Sequence, residues 1–341
     1  MLDDSSINGT EGELDMKKKL TILAVVMAVI VIAVSAVIIY IDKGNKEAAD
    51  LEDGHIRVVT SFYPAYILTI NLTEDIPDLK VDSLSDFSDG CMHDYHLTTK
   101  DMRMLSHADI FIINGGGLEE YLEDVIESYP ELTVINLSQG IEMLPSQVHD
   151  GGDNPHIWMN PELYMQQINN ASQGLESYIQ NKKDKDGRYR QVIEQLTANS
   201  EGYLEKVGEV ADEMNRLLDT VNDMIINKNI SNKVVLFHDS FAYLAEKAGL
   251  EVAYTVEVDE HTSLSAGEVA EVIKAIKDEN IRYLFTEHQY DDTISDRIKA
   301  ETDAKLYVID SAVSGEPDKD AYLRAMRENI ETLKKAFEEF M

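Results

Sequence analysis

Four side chains able to bind a metal stand at the ends of apolar runs. They are His93 in Cys-Met-His-Asp-Tyr, His156 in Asn-Pro-His-Ile-Trp-Met-Asn-Pro, His238 in Leu-Phe-His-Asp-Ser-Phe and Asp310 in Tyr-Val-Ile-Asp-Ser. Intervals of 63, 82 and 72 residues separate them, so no short loop could hold the set. Only a fold that delivers several strand ends to one cleft could gather them. Three imidazoles and one carboxylate complete a tetrahedral zinc shell and leave no open position for a catalytic water. The set predicts capture of a metal rather than chemistry on a substrate.

Other residues could support or replace members of this set. His96 lies three positions after His93 and is the alternative donor of that loop. Glu287 and Asp239 are carboxylates placed to fix the tautomer of a ligating histidine. His149, with Asp150 and Asp153, forms an acidic loop just ahead of His156 and reads either as a metal-collecting lip or as a solvated loop. Pro155 and Pro161 restrict the backbone around His156, which suits a preorganised ligand. Cys91, the only cysteine, excludes an intramolecular disulfide and reads as a structural thiol. Gly115-Gly116-Gly117 lacks the Gly-Lys-Ser/Thr ending of a phosphate loop and the spacing of a dinucleotide fingerprint, so it is read as a tight strand-to-helix turn.

The elements that must position these residues alternate. Ile56–Ser61, Asp109–Asn114 and Leu132–Leu137 read as strands. A helical stretch follows Pro64, and Thr98 with Asp101 forms a capping-box signal. Beyond the middle of the chain, strands at Lys233–Phe237, Val252–Val256, Ile281–Thr286 and Lys305–Ile309 resume the rhythm. Ser265 with Glu268 is a second capping box, and a last helix buries Tyr322, Met326, Ile330, Leu333 and Phe337. Such alternation predicts parallel sheets flanked by helices. Between the halves, Tyr203, Val207, Val210, Met214, Leu217, Val221 and Met224 make one apolar stripe. A helix from Arg190 to Ile226 would reach about 55 Å and joins the two lobes. His238, Glu287 and Asp310 each stand at the C-terminal end of a strand, where ligands of open α/β sheets bind.

Thirty basic residues against 64 acidic ones give a net charge of −34, which repels phosphate backbones and excludes nucleic acid as a partner. Leu20 to Ile41 is an uncharged run preceded by Lys17, Lys18 and Lys19. As a helix it would span about 33 Å. Its positive flank places the N-terminus inside and the rest of the chain outside the membrane. A cleaved signal peptide is the competing reading. The expected organisation is therefore a cytoplasmic tail (1–19), a transmembrane anchor or signal (20–41), a linker (42–55), an N-terminal α/β lobe (56–183), a linking helix (184–230) and a C-terminal α/β lobe (231–341).

The chain resembles the metal-binding solute-binding proteins of ABC importers for zinc and manganese, the zinc-uptake type of cluster A-I. The likeness rests on His93-Asp94-Tyr95, on Leu105 to Glu119, on Asn154-Pro-His-Ile-Trp-Met-Asn-Pro161, on His238-Asp-Ser-Phe-Ala-Tyr-Leu-Ala245 and on Tyr283-Leu-Phe-Thr-Glu287. It implies two α/β lobes joined by one long rigid helix, one divalent cation between them, and ligands at His93, His156, His238 and Asp310. Members favouring manganese tend to carry a carboxylate at the third position, so His238 tilts the expectation to Zn2+, with Mn2+ as the alternative. Two departures stand out: Met92 replaces the usual proline before the first ligand, and His96-Leu97 replaces Glu-Pro after the tyrosine. The implied protein is a monomeric, membrane-tethered receptor that hands its ion to an ABC permease in the same membrane, and is not an enzyme. The rivals are a zinc hydrolase with Glu287 as base and a surface adhesion protein with a structural metal.

Overall fold

A computed structural model of the 341-residue chain describes residues 54–87, 95–119, 121–146, 152–182, 187–228, 231–256, 265–287 and 292–338. The run 20–41 expected to anchor the chain, Cys91, His93 and His149 lie outside the described residues. Among the described residues, no helix is long and apolar enough to cross a membrane.

The first half builds β1 (Ile56–Thr60), α1 (Tyr63–Leu72), β2 (Leu79–Ser83), α2 (Thr99–Leu105), β3 (Ile110–Ile113), α3 (Leu122–Ser128) and β4 (Thr133–Asn136). All pairings are parallel, in the order β2-β1-β3-β4. β3 is the central Ile-Phe-Ile-Ile strand and is buried at all four positions, as a strand covered on both faces must be. β2 escapes the sequence reading for the opposite reason. It is an edge strand, Leu-Lys-Val-Asp-Ser, with only Leu79 fully buried, and its mixed composition imitates a loop. The capping box at α2 forms as expected: Thr98 accepts from the Asp101 backbone, and the Asp101 carboxylate accepts from the Thr98 N–H.

Two long helices follow. α4 (Pro161–Gln180) begins with proline in its first turn, and the Asn160 side chain accepts from the Glu162 N–H. This helix was also not anticipated. α5 (Arg188–Lys228) runs 41 residues, about 60 Å. Tyr203, Val207, Val210, Met214 and Val221 of the expected stripe are buried, but Leu218, not Leu217, fills the place between the last two. At 3.6 residues per turn the buried line drifts off a strict 4-3 alternation, and Leu217 and Met224 end half-buried at its margin.

The second half repeats the plan with β5 (Lys233–Leu236), a 3-10 turn (Asp239–Phe241), α6 (Ala242–Lys247), β6 (Glu251–Thr255), α7 (Ala266–Glu279), β7 (Tyr283–Thr286), α8 (Asp292–Glu301), β8 (Lys305–Val308) and α9 (Ala321–Glu338). Its parallel order is β6-β5-β7-β8, the same pattern as the first sheet. The Ser265–Glu268 capping box forms at α7, and α9 buries Tyr322, Met326, Ile330, Leu333 and Phe337. One continuous apolar core runs from β1 through α1, α4 and α5 to β5, β7 and α9. In each sheet the order reverses between the first and third strands. That is where an open parallel sheet offers a crevice at its C-terminal ends.

Candidate metal centre

At the crevice of the first sheet, β3 ends in Asn114 and the three glycines. All three adopt positive φ (78°, 66° and 88°), a region where a side chain is costly. The turn closes on its own acid. Glu119 is buried and accepts from the backbone N–H groups of Asn114 (2.8 Å) and Gly115 (3.0 Å). Burial pushes its carboxyl upward, partly offset by these N–H groups and the Ser61 hydroxyl. Donors that a phosphate loop would offer to a ligand are thus taken by a tethered carboxylate.

Asn114 passes the arrangement on. Its side-chain N–H donates to the Pro155 carbonyl at 2.9 Å, and Gln167 of α4 donates to its amide oxygen at 2.9 Å. The segment Asn154-Pro-His-Ile-Trp is thereby set beside the crevice. His156 is 2% exposed and precedes a 3-10 turn (Ile157–Met159). The Asn154 amide oxygen accepts the His156 backbone N–H at 3.0 Å and lies 2.8 Å from His156 Nδ1. The amide nitrogen of Asn154 donates to the Asp239 carbonyl at 2.8 Å. A backbone donor at one end and a backbone acceptor at the other leave the amide a single orientation. Its oxygen therefore faces Nδ1, and Nδ1 carries the proton.

At the crevice of the second sheet, His238 follows β5 in extended conformation. Its ring meets that of His156 edge-on, with centroids 4.7 Å apart and planes at 77°. His238 Nδ1 lies 2.9 Å from Glu287 Oε1. Glu287 in turn accepts from the hydroxyls of Ser240 (2.9 Å) and Ser311 (2.7 Å). One buried carboxylate therefore links the ends of β5, β7 and β8. Burial raises its pKa, but the charge of His238 and hydrogen bonds from His238, Ser311 and Ser240 outweigh that, and the net shift is downward. Glu287 orients a histidine, the arrangement that metal sites use to aim a ligand nitrogen.

Asp310 ends β8. Its N–H donates to the Asn329 amide oxygen (2.8 Å), and Oδ1 accepts from the Ala312 N–H (2.8 Å). This places Ala312 at φ 57°, a left-handed conformation for a non-glycine residue. Asp239 is buried and accepts from the Ser146 hydroxyl at 2.9 Å. His96 is exposed. The fold thus joins His156, His238 and Glu287, and holds Asp310 beside Ser311 at the same strand ends. Among the described residues no three His, Cys, Asp or Glu side chains form a metal-holding group. A cavity of about 870 Å³ between β4 and α4 shares no residue with these histidines.

Asn154, Ser240 and Ser311 were not singled out from the sequence. The serines had a signal: His238-Asp-Ser and Ile309-Asp-Ser repeat one doublet at two strand ends, and both serines bind the same carboxylate.

The chain is similar to the high-affinity zinc uptake system protein ZnuA of Bacillus subtilis, 24% identical over 311 residues, covering 86% of this chain and 91% of that protein. It is likewise 24% identical over 244 residues to the manganese-binding lipoprotein MntA of Halalkalibacterium halodurans, covering 70% and 75%. Among solved structures, FpvC of P. aeruginosa with Ni2+ superposes with a TM-score of 0.68 at 22% identity, covering 84% of this chain and 98% of that one. A family model, zinc-uptake complex component A periplasmic, matches residues 58–336. Two α/β lobes, each a parallel sheet flanked by helices, are what this family's fold requires, and the chain belongs to the ZnuA family of metal-binding, substrate-binding proteins of ABC importers, a family of transport proteins and not of enzymes.

Proposed function

We propose that the chain captures Zn2+ between its lobes at His93, His156, His238 and Asp310 and delivers it to an ABC permease in the same membrane. The observation that carries this reading is the pair His156 and His238. Their rings are 4.7 Å apart, and each Nδ1 lies within hydrogen-bond distance of an oxygen, Asn154 Oδ1 at 2.8 Å and Glu287 Oε1 at 2.9 Å, so two oriented imidazoles stand side by side. Neutral imidazoles suit zinc better than the harder, oxygen-preferring Mn2+. The run 20–41 serves as a single-pass anchor, with the lobes on the extracytoplasmic side and 42–55 as linker. The working unit is a monomer.

The test is metal competition on a soluble form of the chain beginning near Gly44, stripped of metal and titrated with Zn2+ against Mn2+, with His238→Ala alongside. Tight zinc binding that manganese does not displace, lost in the variant, is the expected result. A preference for manganese, the metal in the name of the Halalkalibacterium halodurans relative, would keep the transport role and replace the ion. Binding of neither would remove the site and favour the adhesion reading.

A further inference from the structure

His156 belongs by chain order to the first lobe, to which Asn114 (onto the Pro155 carbonyl, 2.9 Å) and the Asn154 N–H (onto the Leu144 carbonyl, 2.7 Å) tie its segment, yet four further hydrogen bonds tie that segment to the second lobe. On its N-terminal side, Asn154 donates to the Asp239 carbonyl (2.8 Å), and the Tyr243 hydroxyl donates to the Asn154 carbonyl (2.6 Å). On its C-terminal side, the Trp158 indole N–H donates to the Ser311 carbonyl (2.8 Å), and the Tyr322 hydroxyl donates to the Trp158 carbonyl (2.8 Å). All four bonds are buried, and Asp239, Tyr243, Ser311 and Tyr322 all lie beyond α5. Two of these partners adjoin expected ligands: Asp239 follows His238, and Ser311 follows Asp310.

From this we infer that Asn154 and Trp158 are positioning residues that fasten His156 to the second lobe, so that His156 moves with His238 and the end of β8 as one preassembled half-site. Asn154 has two tasks on one amide. Its oxygen fixes which nitrogen of His156 carries the proton, and its nitrogen ties that imidazole's segment to the backbone next to His238. Trp158 seals the other side. Its ring lies 5.2 Å from that of His156, and Phe62 packs on it edge-on at 5.0 Å. Loss of the ion should therefore leave the His156–His238 pair together, and the parting between the lobes runs on the first-lobe side of residues 154–158. The inference rests on the proposed metal-capture role only for its meaning. Its geometry is testable without metal.

Trp158 is the only tryptophan, which makes the tie directly readable. In the full chain stripped of metal, indole emission should stay blue and acrylamide quenching should be no greater than in the zinc-loaded chain. A red shift with increased quenching on stripping would overturn the inference. Histidine 15N spectra of the metal-free chain supply the second readout. His156 should be Nδ1-protonated in the wild type and in Tyr243→Phe, and should lose that single tautomer in Asn154→Ala. A wild-type tautomer in Asn154→Ala would overturn the assigned role. Zinc transfer to a chelator should be faster by roughly 10–100-fold in Asn154→Ala, the range seen for outer-sphere partners of metal ligands. Tyr243→Phe, which leaves the His156 acceptor intact, should accelerate it less, and a wild-type rate there would show that the tie does not matter. If the wild type binds no zinc, the proposed function fails, while emission and tautomer still decide this inference.

Discussion

Glu287 Oε1 lies 2.9 Å from His238 Nδ1, and this contact sets the orientation of the His238 ring. Replacing Glu287 with Ala should weaken zinc binding by roughly 10–100-fold. Glu287→Gln keeps an oxygen near Nδ1 and should lose less. Chelator competition checks the order. Equal affinities for Glu287→Ala and the wild type would show that the carboxylate does not orient the ligand.

The same carboxyl gives the metal-free fold an acid-side dependence on pH. Its folded pKa is depressed, so it stabilises the fold above the ordinary glutamate value of about 4.3. That contribution is lost as pH falls through the lower folded value. The stability gap between the native chain and Glu287→Gln should therefore be widest near neutrality and shrink below about pH 4. Denaturant midpoints at several pH values decide, and a constant gap would refute it.

Glu119 has the opposite sign. Burial raises its folded pKa, so the folded state holds the proton more tightly than the unfolded one. Its contribution falls as pH rises from about 4.3 through the folded value, and Glu119→Gln should gain stability relative to the native chain over that interval. Glu119→Ala leaves the Asn114 and Gly115 N–H groups without their acceptor and should cost about 2–4 kcal/mol. Urea unfolding of both variants separates the two effects.

Much of the architecture was readable because β1, β3, β5 and β7 are short apolar runs that end in polar residues. Both capping boxes and the buried face of α9 could be read for similar reasons. β2 and α8 could not, since edge strands and exposed helices are mixed in composition. Of the expected site residues, the sequence places His238 and Glu287 at strand ends and His156 between two prolines. Asn154 was not legible, because its role comes from a carbonyl 85 residues away, and no spacing rule reports such a contact.

Gly115→Ala should be severely destabilising. An added Cβ would stand 2.1 Å from Asn136 Oδ1 and 2.3 Å from Ser138 Oγ, at φ +78°. The left-handed backbone costs roughly 1–2 kcal/mol and overpacking about 1–3 kcal/mol. Gly117 also has positive φ but meets nothing within 4 Å, so Gly117→Ala should lose only the backbone share. Comparing the two by thermal melting isolates the steric part.

Zinc affinity should fall as pH approaches about 6, because imidazoles must be neutral to bind the ion. Titrations at stepped pH check this. A flat profile down to about pH 5 would mean that histidines do not supply the donors.

The apolar core shared by both sheets has a thermodynamic corollary. Tyr164 of α4 stacks on Tyr322 of α9 at 3.8 Å and meets Tyr203 of α5 edge-on at 6.3 Å, all three deep inside. Neither lobe can melt without exposing rings that the helices packed on the other bury in this layer. Heating should therefore give one calorimetric peak whose van't Hoff and measured enthalpies agree: the protein has two sheets but a single cooperative unit of unfolding.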